Sequence, residues 1–132
     1  NENYLYRIKL NGKRDDFKSG YDVGKEFCNR SDRPRAMFIY NDLSALGFID
    51  ALDDFGLKVP EDVAIIGFDD IASEITLKNH LSSVHQPANK IGKLAVKNLL
   101  KMINGESVDP TNKRILKPKL VVRESCGAKK NS

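Results

Sequence analysis

The stretch from Ala36 to Asp70 constrains most strongly how this chain can fold. It reads AMFIYNDLSALGFIDALDDFGLKVPEDVAIIGFDD, which is an apolar run, a polar dipeptide, an amphipathic helix pattern, a Gly-Leu turn and a second apolar run that ends in two carboxylates. Short apolar runs on either side of a helix pattern are typical of parallel strands buried within a sheet. The segment therefore predicts a strand-helix-strand unit whose two strands end at the same edge of the sheet.

The rest of the chain continues this alternation of strands and helices. Helices are predicted over 19–29, with Ser19 as N-cap, over 42–54, and from Pro87 to about Asn104, with a short helical turn over 71–80. Strands are predicted over 4–10, 36–40, 63–67, 82–85, 114–116 and 119–123. This order predicts an α/β fold with a doubly wound, mainly parallel sheet.

The composition argues against several classes of protein. Lys and Arg number 22 and Asp and Glu number 18, so the net charge is +4, an excess that favours solubility over nucleic-acid binding. No apolar run approaches the roughly 18 residues needed to cross a bilayer, and the start of the chain lacks the layout of a signal peptide. We expect a cytoplasmic protein that does not bind membranes, with Cys28 and Cys126 as free thiols.

Polar side chains follow three of the predicted strands. Asn41 and Asp42 begin a helix, where either can serve as the cap while the other faces a ligand, or both can serve only the helix. Asp69 and Asp70 suit sugar hydroxyls, a metal, or a plain turn. Gln86 offers both a donor and an acceptor. Because small molecules bind at the carboxyl edge of open α/β sheets, these side chains are candidates for one shared site.

The sequence shows no catalytic constellation. Glycine-rich phosphate loops, metalloprotease motifs and nucleophile elbows are absent, and His80 and His85 lack the spacing of a triad or a metal site. A phosphoacceptor role for Asp69 or Asp70 would require further acidic residues after an earlier strand and a Lys after a later one. We therefore predict no catalytic residue, no metal, no cofactor and no enzymatic activity.

Three segments together resemble the LacI/GalR (lac-repressor-like) family of bacterial transcription regulators. They are YNDLSALGFIDALDDFGLKVPEDVAIIGFDDI, LSSVHQPANKIGKLAVKNLLKMINGE and ILKPKLVVRESC, with ND-x-x-A-L-G, G-L-x-V-P-E-D-V, G-F-D-D, Q-P before a helix, and L-V-x-R-E-S in the family's order. The resemblance implies a periplasmic-binding-protein fold in which two lobes close on an effector, a sugar or small metabolite, and which forms a homodimer. A solute-binding protein of a sugar transporter, which shares the fold, is the alternative.

The resemblance also implies which residues contact the effector. Asn41, Asp69 and Gln86 match family positions that hydrogen-bond it. The family often has an aromatic stacking residue shortly before S-G-Y, and Asp15 stands at that position here. Phe17, two residues later, is then the candidate for stacking; otherwise stacking is lost.

The domain organisation follows from the same resemblance. Residues 1–12 are expected to form a strand and turn, 13–127 the C-terminal effector-binding and dimerisation subdomain, and 128–132 a disordered tail. The helix over 88–104 would pack on an N-terminal lobe outside this chain, as would the helix-turn-helix through which the protein binds DNA. We expect the uncovered helix to fold back elsewhere or to pair with a second copy.

Overall fold

The structure, a computed structural model, describes residues 5–6, 15–71, 81–108 and 114–128. The predicted strand over 4–10, the helical turn over 71–80 and the tail over 128–132 lie almost entirely outside these ranges. The observed elements are α1 (Asp16–Cys28), β1 (Ala36–Phe38), α2 (Asp42–Asp54), β2 (Ala64–Asp69), β3 (Ser82–His85), α3 (Ala88–Ile103), β4 (Lys119–Val121) and a 3₁₀ helix over Glu124–Cys126.

One four-stranded sheet, in the order β1-β2-β3-β4, organises these elements. β1, β2 and β3 run parallel, with Ala36 opposite Ala64 and Asp69 opposite His85. β4 closes the sheet as an antiparallel edge strand. The prediction of an α/β fold with a mainly parallel sheet is confirmed, and β4 makes the sheet mixed.

The hydrophobic core lies between this sheet and the pair of helices α1 and α2. Phe27 of α1 and Phe48 of α2 meet edge to face, with 5.2 Å between their ring centroids. Ile65 of β2 and Leu81 just before β3 are fully buried beneath them. Aromatic pairs of this geometry stabilise a core beyond the area they bury, so α1 and α2 are anchored to the same layer of side chains.

Glycines bring the backbones of α1 and α2 into direct contact. A Cβ on Gly20 would collide with the carbonyl of Ser44, and one on Gly47 would collide with the carbonyl of Phe17. Only a residue without a side chain allows two backbones to approach so closely. This contact fixes the first turn of α1 beside the first turn of α2.

The predicted start of α1 is wrong. We expected a helix over 19–29 capped by Ser19, but the helix begins at Asp16. Asp15 is the N-cap, and its carboxylate accepts a hydrogen bond from the Lys18 amide at 2.9 Å. A carboxylate at this position satisfies an amide that the helix leaves unpaired and also suits the positive end of the helix dipole.

Several strand boundaries also differ from the predictions. β1 ends at Phe38 rather than at residue 40, β2 spans Ala64–Asp69 rather than 63–67, and β4 ends at Val121 rather than at residue 123. The predicted strand over 114–116 is wrong, because these residues have no regular structure. Ile115 there is 87% exposed. Its β-branched side chain favours a strand only when it packs against neighbouring side chains, and at this exposure it packs little.

Helix α3 lies apart from the core. It ends at Ile103, with Asn104 as its C-cap and Gly105 at a φ of +74° directly after, close to the predicted boundary. None of its residues is buried, and Leu99 and Ile103 are 56% and 69% exposed. The expectation that this helix folds back on the chain is therefore wrong for the described residues. Among the described helices, none is long and apolar enough to cross a membrane.

Candidate functional site

Strand register places three predicted ligand residues at one edge of the sheet. Phe38 in β1 lies opposite Ile66 in β2. Asn41 and Asp69 each come three positions further along their strands, so they reach the same level. Gln86 comes one residue beyond the β3 partner of Asp69. The carboxyl ends of the three parallel strands therefore present an amide, a carboxylate and a second amide along one rim.

Asn41 is the N-cap of α2 and is only 9% exposed. Its Oδ1 accepts from the Ser44 amide at 2.8 Å, and its Nδ2 donates to Oδ2 of Asp16 at 3.0 Å. The other oxygen of Asp16 accepts from the Tyr40 hydroxyl at 2.5 Å. An Asn side chain has two donor hydrogens and two acceptor lone pairs, so these bonds orient the amide and leave half of its capacity for a ligand.

Asp42 does not reach the rim. It is fully buried, with Oδ1 accepting from the Ser83 hydroxyl at 2.6 Å and Oδ2 accepting from the Ile71 amide at 2.8 Å. A Cβ on Gly67 would collide with this carboxylate. Of the two residues in the dipeptide, Asn41 caps the helix, and Asp42 accepts hydrogen bonds in the protein interior behind the rim.

Asp69 and Gln86 contact each other directly. The Gln86 Nε2 donates to Oδ1 of Asp69 at 2.6 Å, and both side chains are partly buried. Asp69 has a φ of +104° and Asp70 a φ of +61°. Residues other than glycine seldom adopt such positive φ angles. The turn after β2 is thus bent so that the two neighbouring carboxylates meet different partners.

Asp70 belongs to a charged cluster behind the rim. Arg123 Nη2 donates to Oδ1 of Asp70 at 2.7 Å, and Arg123 Nη1 donates to the carbonyl of Leu81 at 2.6 Å. His85 Nδ1 lies 3.0 Å from Oδ2 of Asp70, whose side chain is 8% exposed. Within the described ranges, no group of three or more His, Cys, Asp or Glu side chains is placed to hold a metal ion.

Phe17 lies in the first turn of α1 and is 42% exposed. It follows Asp16, whose carboxylate bonds Asn41, so its backbone lies near the rim on the α1 side. The Asp15 carboxylate is engaged by the Lys18 amide. The position that is often aromatic in the resembled family therefore serves as a helix cap in this chain.

Sequence reasoning missed Asp16, Tyr40 and Arg123. Asp16 and Tyr40 are brought together only when α1 packs against the end of β1. Arg123 lies within L-V-x-R-E-S, a motif that carried the family resemblance without assigning a role to its arginine. That motif was the one sequence signal that could have pointed to Arg123. Its contact with Asp70 spans 53 positions, so local sequence patterns could not predict it.

Comparisons with known proteins agree with this architecture. The model of the periplasmic binding protein-like domain matches residues 2–126. The chain is 34% identical over 108 residues to the HTH-type transcriptional repressor PurR of Edwardsiella ictaluri, an alignment that covers 82% of this chain and 31% of the relative. The chain therefore spans about a third of the length of the curated relatives it matches.

Solved structures of regulators are similar in fold. A LacI family transcriptional regulator from Lactobacillus casei with bound sucrose superposes with a TM-score of 0.71 at 35% identity, covering 83% of this chain and 40% of that one. A LacI family transcriptional regulator from Arthrobacter in complex with lactose superposes with a TM-score of 0.72 at 29% identity. That alignment covers 83% of this chain and 41% of the Arthrobacter chain. The chain belongs to the family of periplasmic binding protein-like domains and, within it, to the LacI/GalR group.

Proposed function

We propose that this chain, with 13–127 as its folded subdomain, forms one wall of the effector-binding cleft of a cytoplasmic transcription regulator. The proposed effector is a hydroxyl-rich small molecule, in the first instance a sugar. The observation that carries the proposal is the row of Asn41, Asp69 and Gln86 along the carboxyl edge of the sheet. The sucrose and lactose held by two structural relatives support this class of ligand.

The chemistry of the rim suits a polyol. A carboxylate accepts several O–H donors at once, and such charge-assisted hydrogen bonds are the stronger kind. The Gln86 amide donates to the Asp69 carboxylate at 2.6 Å, so the two groups already lie within reach of one ligand. A sugar would replace this contact by donating one hydroxyl to Asp69 and accepting from Gln86 with an oxygen, while Asn41 contributes its remaining donor and acceptor.

Phe17 is the proposed apolar part of this wall. Phe17 is 42% exposed and directly follows Asp16, which bonds Asn41 at the rim, and the C–H face of a sugar ring can pack against an aromatic side chain. Tyr40, 43% exposed, lies on the same side and holds Asp16 through its hydroxyl. The rim would then combine polar groups that fix orientation with an aromatic surface, as small-molecule sites generally do.

The rest of the proposal concerns the whole protein. A second lobe would complete the cleft, a helix-turn-helix outside this chain would bind DNA, and two copies would form a homodimer. Effector binding alters DNA binding only if the effector binds the two lobe arrangements with unequal affinity. In that scheme this chain senses the ligand and performs no chemical reaction, in keeping with relatives that are regulators.

A solute-binding protein of a sugar transporter remains the alternative use of this fold. The relatives reported above are regulators, and this favours the regulator. The two functions differ in one measurable consequence. A regulator's effector changes the affinity of the protein for DNA, whereas a transport ligand does not.

The test uses the complete gene product that contains this chain. Sugars, nucleosides and phosphorylated sugars are screened by thermal shift, and each hit is then added to a DNA-retention assay with the promoter of the protein's own gene. We expect one ligand class to raise the midpoint of thermal unfolding up to a plateau as its concentration increases, and to change the amount of DNA that the protein retains. A ligand that stabilises the protein but leaves DNA retention unchanged would contradict the regulator proposal.

A further inference from the structure

The turn that carries Asp69 is held in an unfavourable backbone conformation. Asp69 and the next residue, Asp70, both have positive φ. Such conformations cost free energy and persist only where the surroundings enforce them. The residues that enforce this turn therefore decide where the Asp69 carboxylate points.

The buried carboxylate of Asp42 holds this turn from behind. Its Oδ2 accepts the Ile71 amide at 2.8 Å, directly after the two strained residues. Its Oδ1 accepts the Ser83 hydroxyl at 2.6 Å, and the Ser83 oxygen in turn accepts the Asp70 amide at 3.1 Å. Asp42 and Ser83 are both fully buried, so these bonds are shielded from competition with water.

We propose that Asp42 is a positioning residue for the effector. Through Ile71 and Ser83 it fixes the turn over 69–71, and the turn presents the Asp69 carboxylate to Gln86 and to the ligand. The inference rests on the proposed function, because it assigns Asp42 a role in that same site. A buried carboxylate is costly unless hydrogen bonds compensate it, and both oxygens of Asp42 are engaged by this turn or by the residue that supports it.

The position of Asp42 in the chain adds a second consequence. It follows Asn41 directly, so one dipeptide at the start of α2 carries a proposed ligand residue and the residue that orients another. The Asp70 side chain is held separately, by Arg123 and His85. Through its bonds to Ile71 and Ser83, Asp42 couples the segment after β1 to the end of β2 from behind the rim.

The first arm of the test needs no ligand. Amide hydrogen exchange is followed by NMR in the unaltered protein, in Asp42→Asn, in Ser83→Ala, and in Asp50→Asn as a control on the exposed side of α2. We expect the Ile71 amide to exchange about tenfold faster or more in Asp42→Asn, as the loss of a charged hydrogen bond implies. The Ile39 amide, which bonds the carbonyl of Ile66 in the sheet, should not change.

The variants separate positioning from general stability. If Asp42→Asn speeds exchange equally across α2 and the sheet, Asp42 is merely structural and the inference is overturned. If Asp42→Asn does not fold, Ser83→Ala decides, because it removes the acceptor of the Asp70 amide and one donor to Asp42. Faster exchange confined to the turn supports the inference, and unchanged exchange in the turn contradicts it.

The second arm measures binding by calorimetry with sucrose, lactose and glucose as probes. For a sugar that the unaltered protein binds, Asp42→Asn should weaken the affinity about tenfold, while Asp50→Asn should leave it unchanged. Local release of the turn with unaltered affinity would overturn the inference. If the unaltered protein binds none of the three sugars, the proposed function fails for these sugars, and the exchange arm still decides the role of Asp42.

Discussion

Asp69 and Asp70 are neighbours in the chain, but their carboxylates face different partners. Asp69 meets the Gln86 amide at the rim, and Asp70 meets Arg123 and His85 behind it. Positive φ at both residues separates the two side chains. One of the two acids is therefore available to a ligand while the other stabilises the turn.

Substitutions at Asp69 should separate charge from backbone strain. Asparagine tolerates positive φ and can still accept from Gln86 through its one oxygen, so Asp69→Asn removes the charge and exchanges the second acceptor for an NH2 donor. Asp69→Ala also removes the acceptor, and we expect it to weaken effector binding by about 1.5–3 kcal/mol, with a smaller loss for Asp69→Asn. Calorimetry with a sugar that stabilises the protein measures both; equal dissociation constants in all three proteins would remove Asp69 from the site.

Arg123 should matter for stability. Its loss removes the guanidinium that donates at 2.7 Å to the Asp70 carboxylate, which is 8% exposed, and we expect Arg123→Met to lower the free energy of unfolding by about 1.5–3 kcal/mol. The control is Lys18→Met, since Lys18 pairs with Asp22 at the surface, where the two side chains are 69% and 55% exposed and such pairs contribute less than about 1 kcal/mol. Urea unfolding compares the two, and an equal loss in both would contradict this account.

The two cysteines should differ in reactivity. Both are free thiols, as predicted. Burial raises the pKa of the Cys28 thiol. Burial also opposes ionisation of Cys126, but a hydrogen bond with Ser82 and several with the backbone outweigh it and hold its pKa below the ordinary value.

Because the thiolate is the reactive form, a disulfide reagent at pH 8 should modify Cys126 before Cys28. The rates are read from the release of the coloured thiol, and Cys126→Ser should abolish the fast phase. A fast phase that survives this substitution would show that Cys28 is the more reactive thiol.

Among the elements, α2 was predictable and the start of α1 was not. α2 spans Asp42–Asp54 as expected, because its cap Asn41 and the terminating Gly56, with a φ of +71°, are local signals. At α1, both Asp15 and Ser19 are good capping residues. The earlier start is supported by bonds from Asp16 to Asn41 and Tyr40, and such tertiary contacts are invisible to local pattern.

The rim shows the same division between local and distant signals. Asn41, Asp69 and Gln86 were predictable because each follows a strand, and parallel strands end at one edge. The pairing of Asp42 with Ser83 spans 41 positions. Nothing in local sequence selects one partner over another at that separation, so the support behind the rim emerged only from packing.

The contact between α1 and α2 should tolerate no added side chain. We expect Gly47→Ala to lower the free energy of unfolding by about 1–3 kcal/mol, because the added methyl group overpacks the carbonyl of Phe17. The control is Gly92→Ala in α3, where nothing lies within 4 Å of an added Cβ, and where alanine should stabilise the helix by about 0.5–1 kcal/mol. Denaturant unfolding followed by circular dichroism tests both, and a destabilised Gly92→Ala would contradict this reasoning.

At the scale of the whole molecule, α3 presents an apolar surface that the rest of the described chain does not cover. Val96, Leu99, Met102 and Ile103 are all more than half exposed. Apolar patches of this kind mark surfaces that another element or another molecule covers. Since the helix does not fold back on any part of the chain that the structure describes, pairing with a second copy is the remaining expectation for the isolated chain.

Light scattering coupled to size-exclusion chromatography tests this expectation. We expect the 132-residue chain to elute as a dimer or larger species, and Leu99→Glu to shift it to the monomer by placing a charge on the apolar surface. Lys97→Gln, on the basic side of the same helix, should leave the association unchanged. A chain that is monomeric at every concentration would contradict the prediction.

The close approach of α1 and α2 at Gly20 and Gly47 has a mechanical consequence. With backbone against backbone, neither helix can slide without a steric clash, so Phe17 and Asn41 travel together as a rigid body. Under the proposed function, a ligand bound to either residue would therefore act on both helices as one body. We therefore expect the hinge to lie where the chain leaves the sheet at Pro87, and the motion that answers the ligand to be a rotation between lobes.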